Sequence, residues 1–445
     1  MTRFVGCDVH KRQVTVCILD DAGSVVRRHR IACNREGLLD FCRAHLEATD
    51  RVALEATTNT WAVVELIEPF VERVVVSNPL ETKAIAHAKV KTDAIDARTL
   101  AQLLRVGLLP EVWRPDAQTL RLRQLTHRRA ALVTDRTALK NRIHATLAMR
   151  LIEVPVKKLW SNEGLQWLSE VEVDSDGREA LDSDLRLLTA LEAELAGLEK
   201  RLVEIAWQSD AIRLLMTLPG VGASVAQGLL AAWGDVGRFP DADRAVAYLG
   251  LVPSTRQSDR SCYHGRITKQ GNSHARWLLV QAAQRVDDHP GPLGVFFRRL
   301  AKKKNRNIAV VATARKMALI AYHMLRNGEP YRYAVPLPTQ TKLARLRIQA
   351  TGRRRRGGLP KGTPRSKTRY GTGKPMRKVP ALSDVYQSED LPQAQNHDSV
   401  SPAEQRHLRS TRTLGFAKKI QKIQQKPRSS KAKNQEAADD QLTSS

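Results

Sequence analysis

Short apolar runs separated by polar breaks fill the first hundred residues, at a spacing that suits strands. Phe4–Asp8 is the first run, and Val14, Val16 and Ile18 alternate with other residues after a turn at His10–Arg12. The turn Asp20-Asp21-Ala22-Gly23 leads into a third strand over Val25–Ile31. Asn34 suits the cap of a helix carrying Leu38, Leu39, Phe41, Cys42 and Leu46. Val52–Glu55 predicts a fourth strand, Trp61–Phe70 a helix, and Val74–Val76 a fifth strand stopped by Asn78-Pro79. A further helix starts near Asp93. From Asp116 to about Gln208 the pattern becomes helical, with breaks near Pro155 and at Asp174–Gly177. There Leu181, Leu185, Leu188, Leu191, Leu195, Leu198 and Leu202 recur every three or four residues. Such a stripe fits a coiled coil, and equally a helix packed on its own domain.

Three meandering strands followed by β-α-β is the ribonuclease-H-like order, in which the first and fourth strands are neighbours. The expected class is therefore α/β at the N-terminus and mainly α beyond it. The expected division is an α/β nuclease-like domain over 1–115, a helical linker over 116–209 and a mainly helical domain over 210–333. Residues 334–445, rich in Gly, Pro, Arg and Ser with Arg353–Arg356 near their start, are expected to be a disordered basic tail.

Charge narrows the choice of partner. The 445 residues hold 73 Lys and Arg against 46 Asp and Glu, a formal charge of +27. From Ala334 onward there are 24 basic and 8 acidic residues, so the preceding part stays basic without the tail. A polyanion is the expected partner. Basic helical stretches at Arg121–Arg129 and Arg136–Arg150 suit a phosphate backbone or a solvated face. Five scattered cysteines (Cys7, Cys17, Cys33, Cys42, Cys262) lack metal spacing and fit a reducing compartment. No signal-peptide pattern or membrane-length apolar run is apparent, so a cytoplasmic protein is expected.

The chemistry resides in carboxylates. Asp8 and Glu55 end apolar runs, and Asp93 and Asp96 lie three apart on one helix face. Two neighbouring strand ends and one helix face can bring such groups around a pair of Mg²⁺ ions, with Mn²⁺ as a substitute. Thr92-Asp93 could also serve helix capping alone. Lys83, Lys89 and Lys91 would suit a DNA backbone close by. Downstream, Leu218-Pro-Gly220-Val-Gly222 resembles the hairpin of a helix-hairpin-helix element, whose glycines and helix N-terminus can hold a phosphate. Ser258 lies among Arg256, Arg260, Arg266 and Lys269, an environment in which a hydroxyl can contact or attack a phosphate.

Together these motifs resemble the DEDD transposases of bacterial insertion sequences, the IS110 family. The resemblance rests on Gly6-Cys-Asp8-Val-His-Lys11, Leu54-Glu55-Ala-Thr, Lys91-Thr-Asp93-Ala-Ile-Asp96-Ala, Leu218-Pro-Gly-Val-Gly222, Gly250-Leu-Val-Pro253, Ile267-Thr-Lys-Gln-Gly-Asn272 and Val310–Lys316, within roughly residues 1 to 333. It implies a RuvC-like domain with Asp8, Glu55, Asp93 and Asp96 as Mg²⁺ ligands. It also implies a C-terminal transposase domain whose nucleophile maps to Ser258, with Ser261 the second candidate. Further implications are DNA as substrate at element ends and target, a structured non-coding RNA as guide, and assembly as a dimer or tetramer at the bacterial nucleoid. Two other readings fit the residues: a Holliday-junction nuclease with the same carboxylates, and a non-catalytic nucleic-acid-binding protein.

Overall fold

A computed structural model of the chain describes residues 2–86, 92–258, 261–353, 376–394 and 401–427. Its contacts divide the chain into two units, Met1–Pro115 and Asp116–Ser445.

The first unit is a five-stranded mixed sheet with helices on both faces. Strands β1 (Phe4–Val9), β2 (Gln13–Leu19) and β3 (Val25–Ala32) form the antiparallel meander. Helix α1 (Arg35–His45) comes next, its N-terminus capped by Asn34, whose side chain accepts from the Gly37 amide at 2.8 Å. After β4 (Arg51–Glu55), α2 (Thr60–Ile67) and β5 (Arg73–Ser77), the sheet order is β3-β2-β1-β4-β5. β1 and β4 are parallel neighbours, in agreement with the order expected from the sequence. Helices α3 (Pro79–Ile85) and α4 (Asp93–Arg105) complete the unit.

Alternation along the strands decides what each face meets. Val5, Cys7, Val14, Val16, Val52 and Leu54 pack with Leu38 and Phe41 of α1 and Val63, Val64 and Ile67 of α2. The opposite parity, Phe4, Cys17 and Leu19, packs against Ala97 and Ala101 of α4. Between them lies Gly6, where a Cβ would strike the Ala97 carbonyl oxygen and come within 2.7 Å of the Ala101 amide nitrogen. The absence of a side chain there is what lets helix backbone rest directly on strand backbone.

The second unit is mostly helical. Two long helices, α5 (Ala117–Ala148) and α7 (Ser175–Gln208), flank the short α6 (Asn162–Glu170). The leucine stripe of α7 packs on α5 of the same chain: Leu132, Leu195, Leu198 and Leu202 form one cluster, and Leu139, Ile143, Leu147, Leu181 and Leu188 another. The pair runs antiparallel, since Arg129 meets Glu199 (2.7 Å) at one end and Arg150 meets Asp174 (2.8 Å) at the other. Arg142 likewise pairs with Asp184, so several α5 cations are engaged within the chain.

Helices α8 (Asp210–Leu215), α9 (Ala223–Trp233) and α10 (Ala242–Ala247) lead into a hairpin of β6 (Pro253–Ser258) and β7 (Ser261–Ile267). α11 (Ser273–Ala283), α12 (Pro292–Lys303) and α13 (Arg306–Asn327) close a core built on Trp233, Leu279, Phe297 and Met317. α13 is long and apolar enough to cross a membrane, and its Ala309, Val310, Ala314, Met317, Ala318 and Ala321 are buried in this core.

Three expectations change. The stretch expected as a separate linker, 116–209, clusters with the residues after it; Arg123 of α5 donates to the Ala231 and Ala232 carbonyls at the end of α9. Within the domain expected to be mainly helical, the stretch bearing Ser258 is a β-hairpin. The third change is that the expected disordered tail is folded over much of its length. It contributes α14 (Pro336–Thr351), β8 (Met376–Val379), α15 (Leu382–Ser388), α16 (Pro402–Ser410), α17 (Leu414–Ile420) and β9 (Gln424–Pro427). Leu343, Leu346, Leu382, Val385, Tyr386 and Ile420 belong to the main core of the unit. Average composition hid these helices, because sparse apolar residues at helical spacing sit between long basic and Pro-rich stretches. Residues 354–375, which include Arg354–Arg356, lie outside the described residues.

Lys342 of α14 shows how closely this region is tied in. Its buried ammonium donates to the carbonyls of Met216, Leu218 and Val221, matching three donors to three acceptors around the Gly220 turn. Burial pulls its pKa down to about 8, so it remains mainly cationic at neutral pH.

These contacts set two expectations for stability. Gly6→Ala should lower the unfolding free energy by about 1–3 kcal/mol or more, because neither backbone can yield easily. Lys342→Met should cost on the order of 2–3 kcal/mol by stranding buried carbonyls. Urea unfolding of each variant beside wild type measures both, and an unchanged midpoint would contradict either.

Candidate metal and nucleic-acid sites

Asp8 is the next-to-last residue of β1, where the apolar strand reaches the end of the sheet. Its side chain is 14% exposed. Asp93 opens α4, and Asp96 lies one turn on. The capping role that Asp93 could have served belongs to Thr92, whose hydroxyl accepts from the Ile95 amide at 3.3 Å. Asp93 is thereby left to face the strand end. Glu55 closes β4, the parallel neighbour of β1, and is in register with Ser77 of β5.

Between Asp8 and Asp93 stands His10, in the turn after β1. Its Nε2 lies 3.0 Å from Asp8 Oδ2 and 3.5 Å from Asp93 Oδ1. One ligand atom from each of Asp8, His10 and Asp93 falls within 4.8 Å of the others, a separation that one cation could bridge. Burial raises the Asp8 pKa most; His10 opposes that by charge and hydrogen bond, while Asp93 and Asp96 push it up further. Asp96 is therefore close enough to be felt electrostatically. The donor set is oxygen-rich with one imidazole, which suits Mg²⁺ or Mn²⁺ far better than a thiophilic metal.

The sequence pattern alone does not single out His10. The available signal is its place two residues after Asp8, at the mouth of a turn, in the motif Asp8-Val-His10. Lys83 lies on α3, whereas Lys89 and Lys91 lie outside the described residues.

The second unit carries the other candidates. Gly220 adopts φ +76°, and a Cβ there would collide with the Ala282 carbonyl at the end of α11. Gly222 is the N-cap of α9 and supplies no side-chain cap, so the first amides of this helix keep their donors for another acceptor. Ser258 and Ser261 face each other across the tip of the β6–β7 hairpin, both exposed. Arg256 pairs with Tyr263 two positions down the same ladder, so Arg256, Ser258, Ser261 and the 69%-exposed Tyr263 share one face. Arg266 is exposed on β7 and Lys269 just beyond the hairpin, the latter in a left-handed conformation (φ 57°). Asp259 and Arg260 at the tip lie outside the described residues, and so does the side chain of His264.

The chain thus joins an α/β unit, with Asp8, His10 and Asp93 together at the end of its sheet, to a mostly helical unit. Comparison with known proteins shows its family. The family model DEDD_Tnp_IS110, described as a transposase, matches residues 5–150, and that of the transposase IS116/IS110/IS902 family matches residues 212–293. A putative transposase, y4qE, of Sinorhizobium fredii is 27% identical over 285 residues, covering 63% of this chain and 70% of its own. The pilin gene-inverting protein of Moraxella bovis is 25% identical over 347 residues, 74% of this chain and 97% of its own. The transposase for insertion sequence element IS1111A of Coxiella burnetii is 26% identical over 249 residues, 54% of this chain and 68% of its own. The chain belongs to the IS110 family of transposases and is a DNA transposase.

The buried carboxylate yields a prediction of sign. A folded-state pKa raised above the unfolded value favours the fold at low pH, and that advantage is lost as pH rises through the folded pKa. Asp8→Asn should therefore raise the melting temperature of metal-free protein near pH 7, with the gain shrinking as the pH is lowered toward 4. Thermal scans across that range in a chelator decide it; a variant melting lower than wild type at pH 7 would contradict a cost of burying the charged Asp8.

Proposed function

We propose that the chain is the recombinase of an insertion sequence, in which a ribonuclease-H-like first unit cuts DNA with metal ions and a serine in the second unit carries the broken strand. The observation that supports it best is the meeting of Asp8 and Asp93 on His10, with Asp96 close by and Glu55 on the adjoining strand. Asp8, Glu55, Asp93 and Asp96 would hold two Mg²⁺ or Mn²⁺ ions, which supply Lewis acidity and an activated oxygen when bound. What the chain itself does is accumulate negative charge at a partly buried point, a cost that a divalent cation offsets. His10 orients Asp8: a carboxylate oxygen accepts, so its Nε2 carries the proton between them.

Ser258 is the proposed nucleophile. Its Oγ attacks a backbone phosphorus and gives up its proton; the displaced DNA oxygen leaves with a proton, and a serine–phosphate ester conserves the bond for rejoining. Arg256, Arg266 and Lys269 would balance charge on the phosphate, while the uncapped start of α9 at Gly220–Gly222 holds a neighbouring one. Structured RNA from the element is the proposed guide, read by pairing as in other RNA-guided enzymes. Homo-oligomeric assembly, as a dimer or tetramer, would bring two ends together.

The test uses supercoiled plasmid carrying labelled element ends, the full-length protein and its transcript. Asp93→Asn should reduce recombination by at least about 100-fold, beyond what loss of an outer partner of a metal costs. Ser258→Ala should bind DNA but leave no protein–DNA adduct on a denaturing gel. An adduct that survives Ser258→Ala and vanishes in Ser261→Ala would move the nucleophile to Ser261. One that survives both would exclude the serine, and nicks without joints would favour a junction nuclease.

A further inference from the structure

The carboxylates of the first unit belong to a longer polar row. Thr15 of β2 is the register partner of Asp8, and Ser77 of β5 is the partner of Glu55. Cys7 pairs with Leu54 along β1 and β4, so Asp8 and Glu55 are the next residues of that parallel pair. Residues directly opposite each other project from the same face of a sheet. Thr15, Asp8, Glu55 and Ser77 thus form one transverse row across four strands. Their face is the one covered by α4, because Gly6 and Cys17, two residues from Asp8 and Thr15, lie against Ala97 and its neighbours. α4 is also the helix that delivers Asp93 and Asp96.

The two outer members are anomalous. Ser77 is 0% exposed and Thr15 is 7% exposed, yet neither hydroxyl has a hydrogen-bond partner among the described residues. Buried hydroxyls are ordinarily satisfied. Thr60 in the same unit is: it takes the Thr57 amide at 2.5 Å and donates to the Thr57 carbonyl at 3.0 Å. Thr82 of α3 and Thr313 of α13 are exceptions too, and what distinguishes Thr15 and Ser77 is their place on either side of the two carboxylates. Hydrophobic packing alone would be served as well by Ala and Val at the two positions. A pair of unsatisfied hydroxyls at both ends of a carboxylate row is explained if something polar joins the row in the working protein.

We propose that Thr15 and Ser77 are positioning residues for the hydration shell of the divalent cations held by Asp8 and Glu55. Mg²⁺ releases its waters reluctantly and usually keeps several, and each is a strong donor that needs an acceptor. Neighbouring strands stand about 4.8 Å apart, so a hydroxyl one strand away is within a single water of the ion on the adjacent carboxylate. Thr15 would accept from a water in the shell of an ion held by Asp8, and Ser77 from one admitted with an ion held by Glu55. The hydroxyls neither attack nor ligate. This inference rests on the metal-binding reading of the carboxylates.

Titration of the full-length protein with Mn²⁺, monitored by electron paramagnetic resonance, tests it without recourse to activity. Ser77→Ala and Thr15→Val should each weaken Mn²⁺ binding by roughly 10- to 100-fold, the usual cost of losing an outer partner of a metal. Thr15→Ser, which keeps the hydroxyl, should bind as wild type does. In chelator, Ser77→Ala and Thr15→Val should melt at or above the wild-type temperature, since each removes an unsatisfied group. A lower melting point in chelator would mean that the hydroxyls serve the fold, and would overturn the proposal. Unchanged Mn²⁺ affinity in both variants, with binding lost in Asp8→Asn, would overturn it while leaving the metal site standing. Unchanged affinity in Asp8→Asn as well would remove the metal reading and this inference together.

Discussion

Everything at the candidate metal site depends on backbone resting on backbone where α4 crosses β1. Gly6 removes the one Cβ that would hold the Ala97 carbonyl away, and the small Ala97 and Ala101 complete the seat. With the helix seated there, its first turn lies beside the end of β1, and Asp93 reaches the same imidazole as Asp8. Packing density fixes this distance more firmly than any hydrogen bond could, because a close-packed contact has little room to relax. The cost of gathering carboxylates is thus carried by apolar burial on both faces of the sheet.

The second unit solves a similar problem with polar groups. The turn at Gly220 exposes three carbonyls inward, and the Lys342 ammonium satisfies all three. Nearby, Tyr386 donates to the Tyr331 carbonyl at 2.6 Å and Arg347 pairs with the buried Glu389. These contacts join residues far apart in sequence, so the transposase core is completed by chain that lies beyond its recognisable motifs.

That contrast explains what the sequence made legible. Strand order, the Asn34 cap and the strand-end positions of Asp8 and Glu55 come from local alternation, which a single sequence displays. Asp93 and Asp96 are readable from their spacing on one helix face. His10 is harder, because a histidine in a turn is unremarkable until the helix that brings Asp93 is seen beside it. Thr15 and Ser77 are invisible, since Thr and Ser within strands read as ordinary surface or edge positions. The hairpin bearing Ser258 lacks apolar alternation, with Thr255, Arg256, Gln257 and Ser258 all exposed. The folded tail escapes notice because its helices are defined by distant partners, such as Met216 for Lys342 and Tyr331 for Tyr386.

The Lys342 bonds also order events in time. The Leu218 carbonyl and the ammonium that holds it are 124 residues apart. At a synthesis rate of about 5–20 residues per second, roughly 6–25 s separate the emergence of the turn from that of its fastening lysine. A chain that ends before residue 342 lacks the ammonium that holds these three carbonyls. The turn that leads into α9 therefore receives its fastening lysine only once α14 has been made.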